Sequence, residues 1–216
     1  MTLAEFKNEF NFKYDAASKG GPDIDDYEMS LMLTQAVRDI TELAVSTYEA
    51  NDDSRRLVAP LLKYHTGAIT LIRTSYSGVK EYSVSLPAKL KSILREEPKH
   101  DGAVETIEVV VCSVDQVNIL MNNPFKKPNA RKVFKVEKNK DFITVFSSKV
   151  LTGYRITYVA EVEPIIVEAL EFGLTIEGLN VKHATILPAF AHSKIIDLAV
   201  LKTMNAVRTS GIPDKK

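Results

Sequence analysis

A chain of 216 residues that is 45% apolar and 26% charged is long enough to bury its own core and too apolar for wholesale disorder. Its 28 basic and 28 acidic residues cancel, which argues against a protein whose main task is gripping nucleic acid, because phosphate neutralisation needs a basic surplus. The one cysteine, Cys112, cannot make an internal disulfide and sits in an apolar run, where a buried and inert thiol is expected.

The first residues carry acids where a secretory signal needs a basic start and an apolar core. No stretch reaches the ~18 continuous apolar residues of a membrane span. A soluble chain made in a cytoplasm is therefore expected.

Residues 3 to 15 (LAEFKNEFNFKYD) place Leu3, Phe6, Phe10 and Tyr14 three and four apart, which predicts a short helix with an aromatic stripe. AASKGG ends it, with Gly20 and Gly21 as a candidate hinge. The acids that follow, Asp23, Asp25, Asp26 and Glu28, invite comparison with a calcium loop. Counted from Asp23, however, Tyr27 replaces the third acid, Glu28 the glycine and Thr34 the closing carboxylate. The same residues suit a helix start, with Asp23 or Asp25 as cap and Asp26 and Glu28 in the positive first turn.

The helix predicted from there has a wide apolar stripe: Met29, Leu33, Ala36, Ile40, Leu43 and Tyr48, broadened by Met32, Val37, Ala44 and Thr47. Such a stripe needs a partner surface. Asn51 to Ser54 end this helix and cap a shorter one over RRLVAPLLKY (55–64), which Pro60 should kink or shorten.

Beyond residue 67 the pattern turns to strands. TyrSerValSerLeu (82–86) alternates and stops at Pro87; residues 88–97 read as a helix halted by Pro98; residues 106–112 read as a buried strand. A short polar-apolar segment over 114–121 leads to AsnAsnProPhe (122–125). KVFKVE and FITVF flank LysAsnLysAsp (138–141), a hairpin signal because Asn and Asp tolerate turn dihedrals. Residues 153–159 form a further strand, residues 189–207 a helix, and 211–216 a frayed tail. The predicted class is α+β: a helical third (1–77), an antiparallel strand-rich body with a hairpin (78–187), and a C-terminal helix and tail (188–216) packed on the sheet as one unit with the body.

Chemistry finds little foothold. His65, His100, His183 and His192 show no zinc-ligand spacing and read as surface or capping groups. GlyLeuThrIleGluGlyLeu lacks the lysine of a phosphate loop, and no GxSxG elbow occurs. Glu161 and Glu163 read as a strand edge. No catalytic residue, cofactor or metal is expected, and the chain is not expected to be an enzyme. The basic cluster Lys126, Lys127, Arg131 and Lys132 is either a solvated loop or an electrostatic contact for DNA phosphate or an acidic neighbour.

Several segments, in this order, resemble structural proteins encoded by crAss-like bacteriophages. The start, GluPhe-x2-GluPheAsn-x-LysTyr (5–14), leads to ProAspIleAspAspTyrGluMetSerLeuMetLeuThrGlnAla (22–36). Residues 115–128, DQVNILMNNPFKKP, resemble the same group's Asn-Pro-Phe segment ahead of a hairpin. TyrArgIleThrTyrVal (154–159), ProIleIleVal (164–167) and LPAFAHSKIIDLAV (187–200) resemble its closing pattern. One departure is that Ala184 and Thr185 stand where the family often carries a cysteine, which implies a packing role there.

The resemblance implies a virion component of the head-to-tail region: a ring or adaptor protein that docks on the portal, assembled in the bacterial host cytoplasm. Identical copies would close head-to-tail into a ring, twelvefold to match a portal, with adjacent tail or ring proteins as further partners. Phe6, Phe10, Tyr14 and Tyr27 are the candidate assembly anchors, packing either between subunits or within the chain. Near-neutral charge suits a conduit that makes only weak, salt-sensitive contact with passing duplex. A tail-barrel or decoration component, or a phage-encoded soluble enzyme accessory, is the alternative.

Overall fold

Each N-terminal helix starts on a side chain that satisfies backbone donors left without an intrahelical acceptor. The protein's structure, a computed structural model, describes residues 1–19, 21–75, 78–101, 106–123, 125–171 and 173–210. Thr2 and Glu5 form a reciprocal capping box on α1 (Leu3–Ser18). Asp25 caps α2 (Asp26–Ser46), its Oδ1 accepting from the Glu28 amide at 2.7 Å. The acidic knot is thus a helix start, and Asp26 pairs with Lys7 at 2.8 Å. Asn51 caps α3 (Asp52–Val58), and Pro60 ends that helix in a single 3-10 turn over Ala59–Leu61. Leu62 to Tyr64, expected to extend it, open strand β1 (Leu62–Thr66).

The chain divides into two compact units, residues 1–61 with 162 onward, and Leu62–Glu161. This grouping differs from the expected three-part division, because the C-terminal helix α5 (Ala189–Ser210) joins the N-terminal helices and not the strand-rich body. The expected packing surface of α5 was the sheet; it packs on α2 and α1. Ile195, Ile196, Ala199 and Val200 are buried along it, and Met29, Leu33, Ala36 and Val37 along α2. Lys13 with Asp197 and Lys202 with Asp39, each at 2.7 Å, tie α5 to both partners at the surface. Such pairs contribute well under the buried seam.

A second device holds the first unit together. Residues 165–167 run extended against α2, and their amides need acceptors that no neighbouring strand fully supplies. Ser30 Oγ accepts from Val167 N and Thr34 Oγ1 from Ile165 N, both at 3.1 Å, while Ile166 exchanges backbone bonds with His183. All three amides of the run are satisfied, two by hydroxyls on a buried helix face.

The second unit is built on two sheets. β1 lies beside β8 (Leu151–Ala160), which lies beside β4 (Leu90–His100), all antiparallel. The other sheet runs in the order β2 (Ile69–Thr74), β3 (Lys80–Ser85), β7 (Phe142–Ser147), β6 (Lys132–Glu137), β5 (Glu108–Val111). Its hairpin β6–β7 is the one predicted, with Asn139 Oδ1 accepting from the Asp141 and Phe142 amides. The sheet is mixed, because β5 runs parallel to β6 and is joined to it through α4 (Val114–Asn122). A parallel pair requires such a crossover.

Residues 88–97 are the clearest correction: the predicted helix is strand β4. Its register against β8 shifts between Leu90 and Ser92, between Ile93 and Arg95, and at Lys99. Leu90, Ile93 and Leu94 stand three and four apart in the sequence, which imitates a helical period, and the irregularities let a strand carry that spacing. Pro98 is tolerated because β4 is an edge strand and needs no outward donor.

Two core replacements test this packing. Phe10→Ala, which empties a fully buried site, should cost about 3–5 kcal/mol in urea unfolding. Thr34→Val keeps the shape but orphans the Ile165 amide, and should cost about 1–3 kcal/mol; a loss within ~0.3 kcal/mol would contradict the role given to that hydroxyl.

Candidate assembly interface

Three of the four aromatics proposed as assembly anchors are already occupied within the single chain. Phe6, Phe10 and Tyr14 are buried. Phe6 meets the His192 ring at 5.0 Å, Phe10 stacks on Tyr14 at 6.2 Å, and the Tyr14 hydroxyl donates to the Pro22 carbonyl at 3.0 Å. Between the two packings left open by the sequence, the isolated chain adopts the internal one. Tyr27 is half-buried against Ile166, Leu170 and Ile176. The aromatic of α1 that stays exposed is Phe12.

Gly20 lies outside the described residues. At Gly21 a Cβ would stand 2.9 Å from Ser18 Cβ and 3.2 Å from the Tyr14 hydroxyl. Glycine is therefore needed there for close approach.

Of the basic cluster, Lys126, Lys127 and Arg131 are exposed, and Lys132 lies 5.8 Å from the Phe134 ring centroid. They follow α4 on the path into β6, beside Phe125, which is 95% exposed. The histidines are more structural than expected. His183 pairs with Glu163 at 2.8 Å, and His192 bonds the Leu187 carbonyl at 2.9 Å.

His100, expected in a surface turn, is buried at the end of β4. The Ala130 carbonyl can only accept, so Nδ1 carries the proton toward it at 3.2 Å. The ring Nε2 lies 2.8 Å from the Ser147 hydroxyl oxygen, a hydroxyl that also donates to the Lys149 carbonyl at 3.0 Å. Burial pushes this imidazole below its ordinary pKa, against the opposing Ala130 bond, and nearby Lys149 pushes the same way. Cys112 is buried, as expected, and burial raises its thiol pKa, which keeps it protonated and inert.

A charged network, buried at Lys135 and Glu96 and exposed at Glu137, clips the two sheets of the second unit. Lys135 of β6 lies 2.8 Å from both Glu96 of β4 and Glu137, and Tyr154 donates to Glu96 at 2.9 Å. Burial disfavours the ammonium, but the bonds to Glu137 and Glu96 outweigh it and hold its pKa above the usual range. Burial likewise raises the Tyr154 phenol, helped by the Glu96 charge. Each charge has a partner, so the cluster works as a fastening.

The residues free for assembly are ones that sequence periodicity did not single out. On α4, capped by a Ser113–Gln116 box, Val117 turns into the core while Val114 and Ile119 are exposed. On β2, Leu71 and Ile72 are exposed, and on β5, Val111 is exposed. The available signal was the apolar content of ITLIRT and EVVV; what could not be read was which strands become edges. Solvent-facing apolar side chains on strand edges and on a short helix are features expected of the class of chains that associate with others.

The comparisons agree with that class. The chain belongs to the phage tail ring protein 3/4 family, whose model matches residues 1–211. It is therefore a phage ring structural protein, as the sequence resemblance implied. It is 29% identical over 218 residues to Ring protein 4/5 of Bacteroides phage crAss001, covering 93% of this chain and 91% of that relative. It is also 24% identical over 193 residues to Ring protein 3 of the same phage, covering 82% and 83%.

The His100 site makes a pH prediction. The unfolded histidine takes a proton near pH 6.5 and the folded one only at lower pH. In that interval the unfolded state binds more protons, so stability falls as pH drops below about 6.5. Urea unfolding at pH 7.5, 6.5 and 5.5 should show a larger acid loss for the native chain than for His100→Asn; equal losses would contradict the assignment.

Proposed function

We propose that identical copies of this chain close into a ring at the head-to-tail junction of the virion, twelvefold to match a portal, through which the genome passes. The observation that carries this reading is the family match across nearly the whole chain, and the ring names of both relatives support it. The neighbours are the portal on one side and further ring or tail proteins on the other. A heterologous contact closes such a ring when the rotation between copies divides a full turn.

With Phe6, Phe10 and Tyr14 spent on the chain's own core, contact between copies falls to the exposed apolar set of α4, β2 and β5. Val114 and Ile119 on α4 and Phe125 just after it, next to Lys126 and Lys127 in the chain, are exposed members of that set. The basic cluster is the contact for passing duplex or an acidic neighbour. Balanced overall charge keeps the DNA contact weak, because each neutralised phosphate releases counterions and adds retention.

Two measurements test this. Purified chain should co-sediment with isolated portal complexes in a fixed ratio and leave no portal-bound fraction when the portal is omitted from the gradient; failure to bind the portal at saturating concentration would overturn the docking. Fluorescence titration with duplex DNA should give a Kd of about 1 μM or weaker at physiological salt, and Lys126→Ala with Lys127→Ala should reduce the salt slope by about 1.8. A nanomolar, salt-resistant complex would contradict the conduit reading.

A further inference from the structure

The second unit has four strand edges, and they are not treated alike. β4 is blunted by Pro98 and three register irregularities, the usual devices against edge pairing. β1 has exposed Lys63 and engages His65 with the Ser85 carbonyl at 3.2 Å. On β1 the exposed Tyr64 ring is covered by the Arg155 guanidinium at 4.7 Å, whereas the edges of the five-stranded sheet, β2 and β5, present exposed aliphatic side chains, with Leu71 and Ile72 each 52% exposed and Val111 62%. No described backbone hydrogen bond reaches the outer side of either strand.

We propose that β2 of one copy pairs antiparallel with β5 of the next, so that the five-stranded sheets join edge to edge around the ring. This rests on the ring reading above. The ladder directions require the antiparallel sense: β2, β3, β7 and β6 alternate, and β5 runs with β6, so β2 and β5 point oppositely. Copies related by rotation about an axis along the strands keep their directions, so β2 meets the neighbour's β5 antiparallel. The same rotation keeps each face of the sheet on its own side.

The faces match residue by residue. Ile69 and Leu71 stand opposite Val84 and Tyr82, which belong to the core between the sheets. Val109 and Val111 stand opposite Val133 and Lys135 on that same face. Thr70 and Arg73, opposite Ser83 and Glu81, lie on the α4 face, as do Val110 and Glu108, opposite Phe134 and Lys132. One antiparallel register pairs Arg73 with Glu108, Leu71 with Val109, Thr70 with Val110 and Ile69 with Val111. Ile72 remains the extra residue, as it already is against β3.

In that register apolar meets apolar on one face; on the other, Arg73, whose Nε already donates to Glu81 at 2.5 Å within the chain, would bring its remaining guanidinium donors to Glu108, the single anion of β5. A one-residue slip would put Leu71 on the wrong face and separate Arg73 from Glu108. An open groove of about 890 Å³ lies beside β5; Val109, Val111, Leu90 and Ile93 line it together with charged side chains such as Arg95, Glu96 and Lys135. Leu71 of an incoming strand would enter at its mouth.

Cysteine pairing in the full-length chain tests the register. Thr70→Cys with Val110→Cys, oxidised after assembly, should give a ladder of covalent multimers on non-reducing gels, while either single variant should give dimers at most. Leu71→Cys with Val109→Cys serves as a second pair should the first disturb folding. If the double variants assemble into rings by native mass spectrometry yet show no ladder, the edge pairing is wrong and the ring reading stands. If the unmodified chain forms no closed oligomer either alone or on portals, the ring reading fails and this inference with it.

Discussion

Strand β6 must serve two cores at once. Val133 and Lys135 point toward the facing sheet, while Phe134 and Val136 point toward α4. A strand buried on both faces and both sides cannot sit at an edge, so β7 and β5 are held against it. That requirement sends the free edges of the larger sheet to β2 and β5. The two edges proposed for assembly are therefore a consequence of how the second unit buries its own core.

The first unit solves a different problem. A helix with an apolar stripe as wide as that of α2 needs cover, and α5 and the 165–167 segment provide it. Ser30 and Thr34 sit on the buried face of α2 because an extended segment crossing it needs acceptors for its amides. The stripe read from the sequence holds over Met29, Leu33, Ala36, Val37 and Ala44, but Leu43 is exposed and Tyr48 lies past the end of α2. Its partner is internal, which is why the unit needs no neighbouring copy to cover Phe6, Phe10 or Leu33.

Much of this was legible in the residues. The caps at Asp25 and Asn51, most of the stripe of α2, the β6–β7 hairpin, the buried Cys112 and the C-terminal helix all follow from local chemistry. What was not legible depended on tertiary register. Bulges accommodated a helix-like spacing in β4, the β5–β6 pair turned parallel through α4, and His100 lies buried against Ser147 and Ala130, far along the chain. The interface candidates were hidden for the same reason. ITLIRT and EVVV look like any buried strands until the sheet order leaves them outermost. The order of family-like segments from residue 5 to residue 200 pointed to a phage structural protein more directly than any single motif did, and the match over 1–211 bears that out.

The central claim is that this polypeptide works as one repeating segment of a closed ring. Averaged electron images of purified virions test it most directly, because they show position, copy number and neighbours together. The account predicts density for this chain in a closed ring of twelve copies at the junction of head and tail, with the larger sheet continuous from one copy to the next. Isolated copies scattered over the capsid surface, or a virion that lacks the chain, would contradict it.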